Sequence, residues 1–146
     1  MNARLVTKMQ IAAPPENVFR YLSQLRYHKF WNPHLQGSLP DITLSQGASY
    51  YTTSLLFGRK THFKNIVSKC TENSELELCN DTGLLQYCVR YTLLPKAHGT
   101  LLTCNMAVSS TSNSFAFAKP ILKLLVQREL QIDLTLLKTA VETHKE

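Results

Sequence analysis

From Leu5 to Ile11 the residues Leu5, Thr7, Met9 and Ile11 alternate with Val6, Lys8 and Gln10. A period of two marks a strand with one face inward. The pattern changes over AAPPENVFRYLSQLRYHKFWNP, Ala12 to Pro33. Pro14 and Pro15 suit a helix entrance, Val18, Phe19 and Leu22 fall at helical spacing, and Pro33 forbids simple continuation. The stretch reads as a short helical break in a chain that is otherwise mostly strands.

Period-two patterns return after Gly37, Pro40, Asp41 and Gly47, which punctuate a short strand and a connection. Ala48 to Leu56 follows with Tyr50, Thr52 and Ser54 on one face, and Gly58 turns the chain. Thr61 to Thr71 has ambiguous parity, because Phe63 and Val67 share one face while Ile66 and Cys70 share the other, so a bulge or two-sided burial is expected. Glu75 to Asn80 carries Leu76 and Leu78 between two turn signals, Thr71 to Ser74 and Asp81 to Gly83. Leu85, Tyr87, Val89, Tyr91 and Leu93 then alternate with polar partners until Pro95 to Gly99 breaks the run. Thr100 to Ser109 resumes it with Thr100, Leu102, Cys104, Met106 and Val108 on one face. Six or seven strands joined by short turns imply a mainly antiparallel meander.

An apolar sheet face needs a cover, and Lys119 to His144 supplies one. Leu122, Leu125, Val126, Ile132, Leu136, Leu137 and Ala140 recur at steps of three and four, the spacing of an amphipathic helix. Pro120 fits its first turn and Ser112 to Ser114 offer capping hydroxyls. Leu124, Leu130, Leu134 and Val141 widen the stripe, as suits a helix gripped by a curved sheet.

Composition narrows the picture without adding chemistry. At 146 residues and 44% hydrophobic, residues 1–146 read as a single domain with one core. The N-terminus lacks a continuous apolar segment and no run reaches the roughly 20 residues of a bilayer-spanning helix, so the reading is a soluble, cytoplasmic protein without a transmembrane segment. The net charge of +6 is spread along the chain, with Arg59-Lys60 the longest adjacent pair, and nucleic acid is not expected as a partner. Cys70, Cys79, Cys88 and Cys104 show no metal-ligand or redox spacing and read as buried reduced thiols. His28 and His34 bracket Trp31 at a separation that is not a ligand spacing, so neither a metal nor another cofactor is expected.

The order of elements, together with APPENVFRYLSQLRYHKFWNP, Gly47-x-x-Tyr50 and YTLLPKAHGTLLT before the last strand, resembles the SRPBCC superfamily over essentially the whole chain. That superfamily includes START-related lipid-binding, birch-pollen-allergen-like and polyketide cyclase/dehydrase-like proteins, and the last branch is the nearest in flavour. The resemblance implies an α+β helix-grip fold, in which a curved antiparallel sheet of six to seven strands wraps a long C-terminal helix and two short helices follow strand one. It also implies a cavity between sheet and helix for lipids, sterols, aromatic polyketides or hormones. Carried over residue by residue, the cavity would be bounded by Trp31 at the entrance, by Tyr50, Thr52 and Ser54, by Tyr87, Val89 and Tyr91, by Leu102, Cys104 and Met106, and by Leu122, Leu125 and Glu129 of the helix.

Glu129 shares a face with Leu122 and Leu136, two turns away on either side, and burial would raise its pKa. No nucleophile elbow, zinc motif or glycine-rich phosphate loop is present, and no Asp/Glu pair is read at one-face helical spacing in apolar surroundings. The expectation is a monomer or weak homodimer that binds or transports a small hydrophobic ligand. The alternative is a cyclase or dehydratase acting in the same cavity with Tyr50, Tyr91 and Glu129 as proton-handling candidates.

Overall fold

The N-terminal alternation forms strand β1 (Asn2–Ile11). The helical break resolves into helix α1 (Pro15–Ser23), a 3-10 turn (Leu25–Tyr27) and helix α2 (His28–Trp31). Six further strands follow: β2 (Leu35–Gln36), β3 (Ser49–Leu56), β4 (Arg59–Thr71), β5 (Glu75–Asp81), β6 (Leu85–Lys96) and β7 (Gly99–Ser110). Helix α3 (Lys119–Thr143) closes the chain. This computed structural model describes residues 2–37, 39–56, 58–81, 85–110 and 119–143. The proposed capping serines, Ser112 to Ser114, lie outside the described residues, as does most of the turn after Asp81.

All strands join one antiparallel sheet in the order β1-β7-β6-β5-β4-β3-β2. Each strand from β3 to β7 pairs with its sequence neighbour, and β1 returns to pair with β7. The sheet curls around α3 and the short helices sit after strand one, which is the helix-grip arrangement.

Two local features explain where the strand pattern was hard to read. In β4 the register with β5 shifts between Val67 and Lys69. Phe63, Asn65 and Val67 are buried upstream of this bulge, while Cys70, opposite the buried Leu76, turns toward the core downstream. Ile66 faces out, 41% exposed. In β6 the pairing runs on through Pro95, which lies opposite Thr100, so the expected break is a continuous hairpin. Pairing with β5 ends at Thr92. Beyond it β6 has a neighbour on one side only, where a proline without an N–H is tolerated.

The core lies between the concave sheet face, α1 and the C-terminal half of α3. Ile11, Leu22, Leu25, Leu76, Leu102, Leu134 and Leu137 are essentially inaccessible there. The inward stripe of α3 runs through Val126, Leu130, Leu134, Leu137 and Val141, while Leu124, Leu125 and Ile132 are exposed. Of the expected stripe, Val126, Leu137 and Ala140 face inward as expected, whereas Leu125 and Ile132 do not, so the inward face is rotated toward Leu130, Leu134 and Val141.

The corner between β1 and α1 is fixed from three sides. Thr100 donates from Oγ1 to the Ala13 carbonyl at 2.7 Å, Glu142 accepts from the Ala12 N–H at 2.7 Å, and Lys138 donates to the Gln10 carbonyl at 2.8 Å. Gly99, at φ +141°, packs so tightly that a Cβ there would overlap the Ile11 carbonyl oxygen.

The cysteine expectation is corrected. The register of β5 and β6 sets Cys79 opposite Cys88 with Cα atoms 4.1 Å apart, and the two form a disulfide. Cys70 and Cys104 are free, half-buried and buried respectively.

Candidate pocket between sheet and helix

A pocket of about 150 Å³ opens between the first half of α3, the inner faces of β3 to β6 and helix α2. Its position follows from sequence. In the C-terminal half of α3 the buried Leu134, Leu137, Ala140 and Val141 close the core. Around Val126, Glu129, Leu130 and Asp133 the helix stands opposite aromatic and polar side chains that leave space between them.

Trp31 forms one edge. Its ring meets Tyr91 edge-on at 6.1 Å, and its Nε1–H donates to the Tyr21 carbonyl at 2.9 Å. Anchored in this way, the indole both packs α2 on the sheet and faces the pocket. His28 beside it is buried and pairs through Nε2 with the Leu22 carbonyl at 2.7 Å. A carbonyl only accepts, so Nε2 carries the proton. Burial outweighs that bond and pushes the pKa of His28 down to about 4, leaving the imidazole neutral.

The sheet wall is built by parity. Tyr50, Thr52 and Ser54 come from β3, Phe63 and Asn65 from β4, Leu78 and Asn80 from β5, and Tyr87, Val89 and Tyr91 from β6. Asn65, 3% exposed, donates from Nδ2 to Thr52 Oγ1 at 2.9 Å and to the Tyr50 carbonyl at 3.3 Å, which ties β3 to β4 behind the pocket. Burial raises the phenols of Tyr50 and Tyr91 well above the usual value and pushes Tyr87 up to about 12. All three are neutral hydroxyls at physiological pH.

Of the residues expected at the site, Trp31, Tyr50, Thr52, Ser54, Tyr87, Val89, Tyr91, Met106 and Glu129 line the pocket. Leu102 and Cys104 lie in the closed core. Burial, with Asp133 nearby, pushes the Cys104 thiol up to about 12, so it stays protonated. Leu125 is 39% exposed and is not part of the lining, while the Leu122 side chain lies outside the described residues.

The carboxyl pair is the main correction. Glu129 and Asp133 are four residues apart on α3, one turn along the same face, and both line the pocket among aromatic rings. Glu129 meets His34 Nε2, and His34 is held by its own carbonyl, which accepts the Leu55 N–H at 2.8 Å. Asp133 is half-buried, and its Oδ1 has no partner among the described residues. Desolvation, reinforced by Glu129, raises its pKa from 3.8 to about 8. The signal is present in the sequence as Glu129-x-x-x-Asp133, one turn apart on the side of the helix that also carries Leu122, but nothing in the spacing shows that this side meets a pocket. Asn65, Asn80 and His34 carried no sequence signal, because their place depends on strand register and on the path of the chain after α2.

The profile of the family described as polyketide cyclase / dehydrase and lipid transport matches residues 2–142. The chain belongs to that family. Solved structures reproduce the family fold along the whole chain. A START superfamily protein from Mycobacterium smegmatis is 18% identical, with a TM-score of 0.76 over 97% of each chain. A protein from Chromobacterium violaceum is 19% identical, with a TM-score of 0.73 over 97% of this chain and 98% of the other. The di-domain ARO/CYC BexL of the BE-7585A biosynthetic pathway is 14% identical, with a TM-score of 0.80 over 99% of this chain and 51% of BexL. At these identities the likeness establishes the fold of the family and no individual activity. No curated protein matches the sequence. Among the described residues no helix is long and apolar enough to cross a membrane.

Proposed function

We propose that this family member binds a small hydrophobic ligand in the pocket between sheet and α3, as a carrier or sensor of that ligand. The observation that carries the reading is the lining itself, in which aromatic rings surround about 150 Å³ of space while Tyr87 Oη, Asn80 Oδ1 and Asp133 Oδ1 lack partners among the described residues. Buried polar atoms are normally satisfied, and an apolar enclosure with a few convergent polar groups is the usual form of a small-molecule site.

The chain contains one tryptophan, and it stands at the pocket, so bound dye can be read by energy transfer from it. N-Phenyl-1-naphthylamine, an uncharged dye, is expected to show saturable one-to-one binding with transfer from Trp31. Ser54→Phe, which fills the half-buried sheet wall, is expected to weaken binding by about tenfold or more without lowering the melting temperature. Binding that Ser54→Phe leaves unchanged would place the dye elsewhere, and no binding at all would sink the reading.

A second reading, a cyclase- or dehydratase-like enzyme, is favoured by Asp133. Its carboxyl titrates near pH 8, close enough to Tyr91 to perturb that phenol, on which Tyr50 also acts. A carboxylate with a pKa near the working pH is suited to moving a proton to and from carbon. In heavy water the protein is expected to accelerate deuterium exchange at the acidic C1 position of 2-tetralone. Ionised Asp133 would take the proton, the electron pair would pass to the carbonyl oxygen as enolate, and a deuteron would be returned to carbon. Asp133→Asn is expected to slow the catalysed exchange by about a hundredfold. Exchange no faster than in buffer removes this reading and leaves the binding reading in place.

A further inference from the structure

We infer that the ligand is an uncharged compound of one or two fused rings bearing a hydroxyl group, and that the pocket rejects fatty-acid carboxylates and phosphate-bearing lipids. The inference rests on the binding reading above and specifies its ligand.

Charge provides the first argument. The chain carries 16 Lys and Arg against 10 Asp and Glu, yet among the described residues no Lys or Arg lines the pocket, whereas Glu129 and Asp133 both do. An anionic headgroup would enter a low-dielectric space that holds two carboxyls and no free cation, where an unpaired charge is strongly disfavoured. Neither imidazole is available to offset it, since His34 is engaged by Glu129 and His28 is neutral against the Leu22 carbonyl.

The remaining hydrogen-bonding capacity points the same way. Three N–H donors at the pocket are already spent: Trp31 Nε1 on Tyr21, His28 Nε2 on Leu22 and Asn65 Nδ2 on Tyr50 and Thr52. Among the unsatisfied groups, the Asn80 oxygen can accept, while the Tyr87 hydroxyl and the protonated Asp133 carboxyl can accept or donate. Tyr87 is only 6% exposed and lies opposite Asn80 across the β5–β6 ladder, so the two place polar atoms side by side on the sheet wall of the pocket. A ligand hydroxyl complements such a pair, donating to one member and accepting from the other. A cation is not called for, because Glu129 already has His34 and Asp133 holds its proton at neutral pH. Size sets the ring count. A dry cavity of about 150 Å³ accommodates benzene, and an open mouth leaves room for a second fused ring.

Calorimetric titration of the full chain at neutral pH with four naphthalenes of similar size tests this: 2-naphthol, 2-methoxynaphthalene, 2-naphthoate and protonated 2-(aminomethyl)naphthalene. The naphthol is expected to bind tightest, the ether about tenfold weaker for want of a donor, and the naphthoate about thirtyfold weaker or worse. In Glu129→Gln/Asp133→Asn the gap between naphthol and naphthoate should fall below about tenfold; if that variant fails to fold, the ranking on the unaltered protein decides. Naphthoate binding as tightly as naphthol, or the amine binding tightest, overturns the inference while leaving a ligand pocket. Failure of all four to bind removes the pocket reading together with it.

Discussion

Asp133→Asn is expected to stabilise the protein by about 4 kcal/mol near pH 9 and to leave its stability nearly unchanged near pH 4. The sign follows from proton linkage. In the unfolded chain an aspartate loses its proton near 3.8, whereas in the fold Asp133 keeps it to about 8. Between those values the native state holds the extra proton, so stability falls as pH rises through this window and the deficit is fully developed above it. At about 1.4 kcal/mol per pH unit, discounted for the remaining exposure, the deficit reaches the stated size. The groups that interact with Asp133 are Glu129 on its own helix, with His34 beyond it, and Tyr91 and Cys104 from β6 and β7. Of these, only Glu129 adds a neighbouring carboxyl.

Urea denaturation of both proteins at the two pH values measures the effect. Equal stability near pH 9 would show that Asp133 is solvated as an ordinary surface aspartate, and would remove it from both functional readings. A side chain that costs stability where a leucine would pack well is the mark of a position kept for chemistry or recognition.

The second large effect is expected at Gly99. Gly99→Ala must hold an alanine at φ +141° while its Cβ meets the Ile11 carbonyl oxygen, with the Ala13 nitrogen 3.0 Å away. Strain and overlap together should cost about 3–4 kcal/mol. Gly58→Ala provides the control. Gly58 also has positive φ, at +78°, but open space surrounds its missing Cβ, so only conformational strain of about 1 kcal/mol is expected. Comparable denaturation midpoints for the two variants would show that the β6–β7 hairpin tip does not grip the β1–α1 corner. Because that corner launches the helices that carry Trp31, Gly99→Ala should also weaken dye binding, and Gly58→Ala should not.

The fold was legible because its information is local. Alternation from Leu85 to Leu93, or from Leu5 to Ile11, names both the strand and its inward face, and the pocket tyrosines come directly from that parity. What escaped depends on pairings between segments. Nothing in the spacing of Cys79 and Cys88 reveals that they stand opposite one another, since that is set by the register of two strands. Asn65 and Asn80 look like surface residues until the curl of the sheet turns their faces inward. On α3, apolar residues occupy so much of the circumference that spacing alone does not show which side meets the core and which the pocket, so Asp133 gives no sign of its burial. Pro95 was read as a stop because its neighbours were unknown; with β5 already ended at Thr92, the missing N–H is no obstacle.

The bulge in β4 separates two design problems within one strand. Before it, odd-numbered positions face inward and shape the pocket. After it the phase is reset, and the Cys70 thiol reaches the Leu44 carbonyl at 3.8 Å, steadying the segment that leads into β3. Substitutions at Phe63 or Asn65 can therefore retune what the pocket accepts without disturbing that seam. Deleting Ser68 would remove the extra residue and join both stretches in a single phase, with Val67 and Cys70 inward and Lys69 still outward opposite Glu77. The irregularity works as an expansion joint, leaving one half of the strand free to diversify while the other keeps its docking.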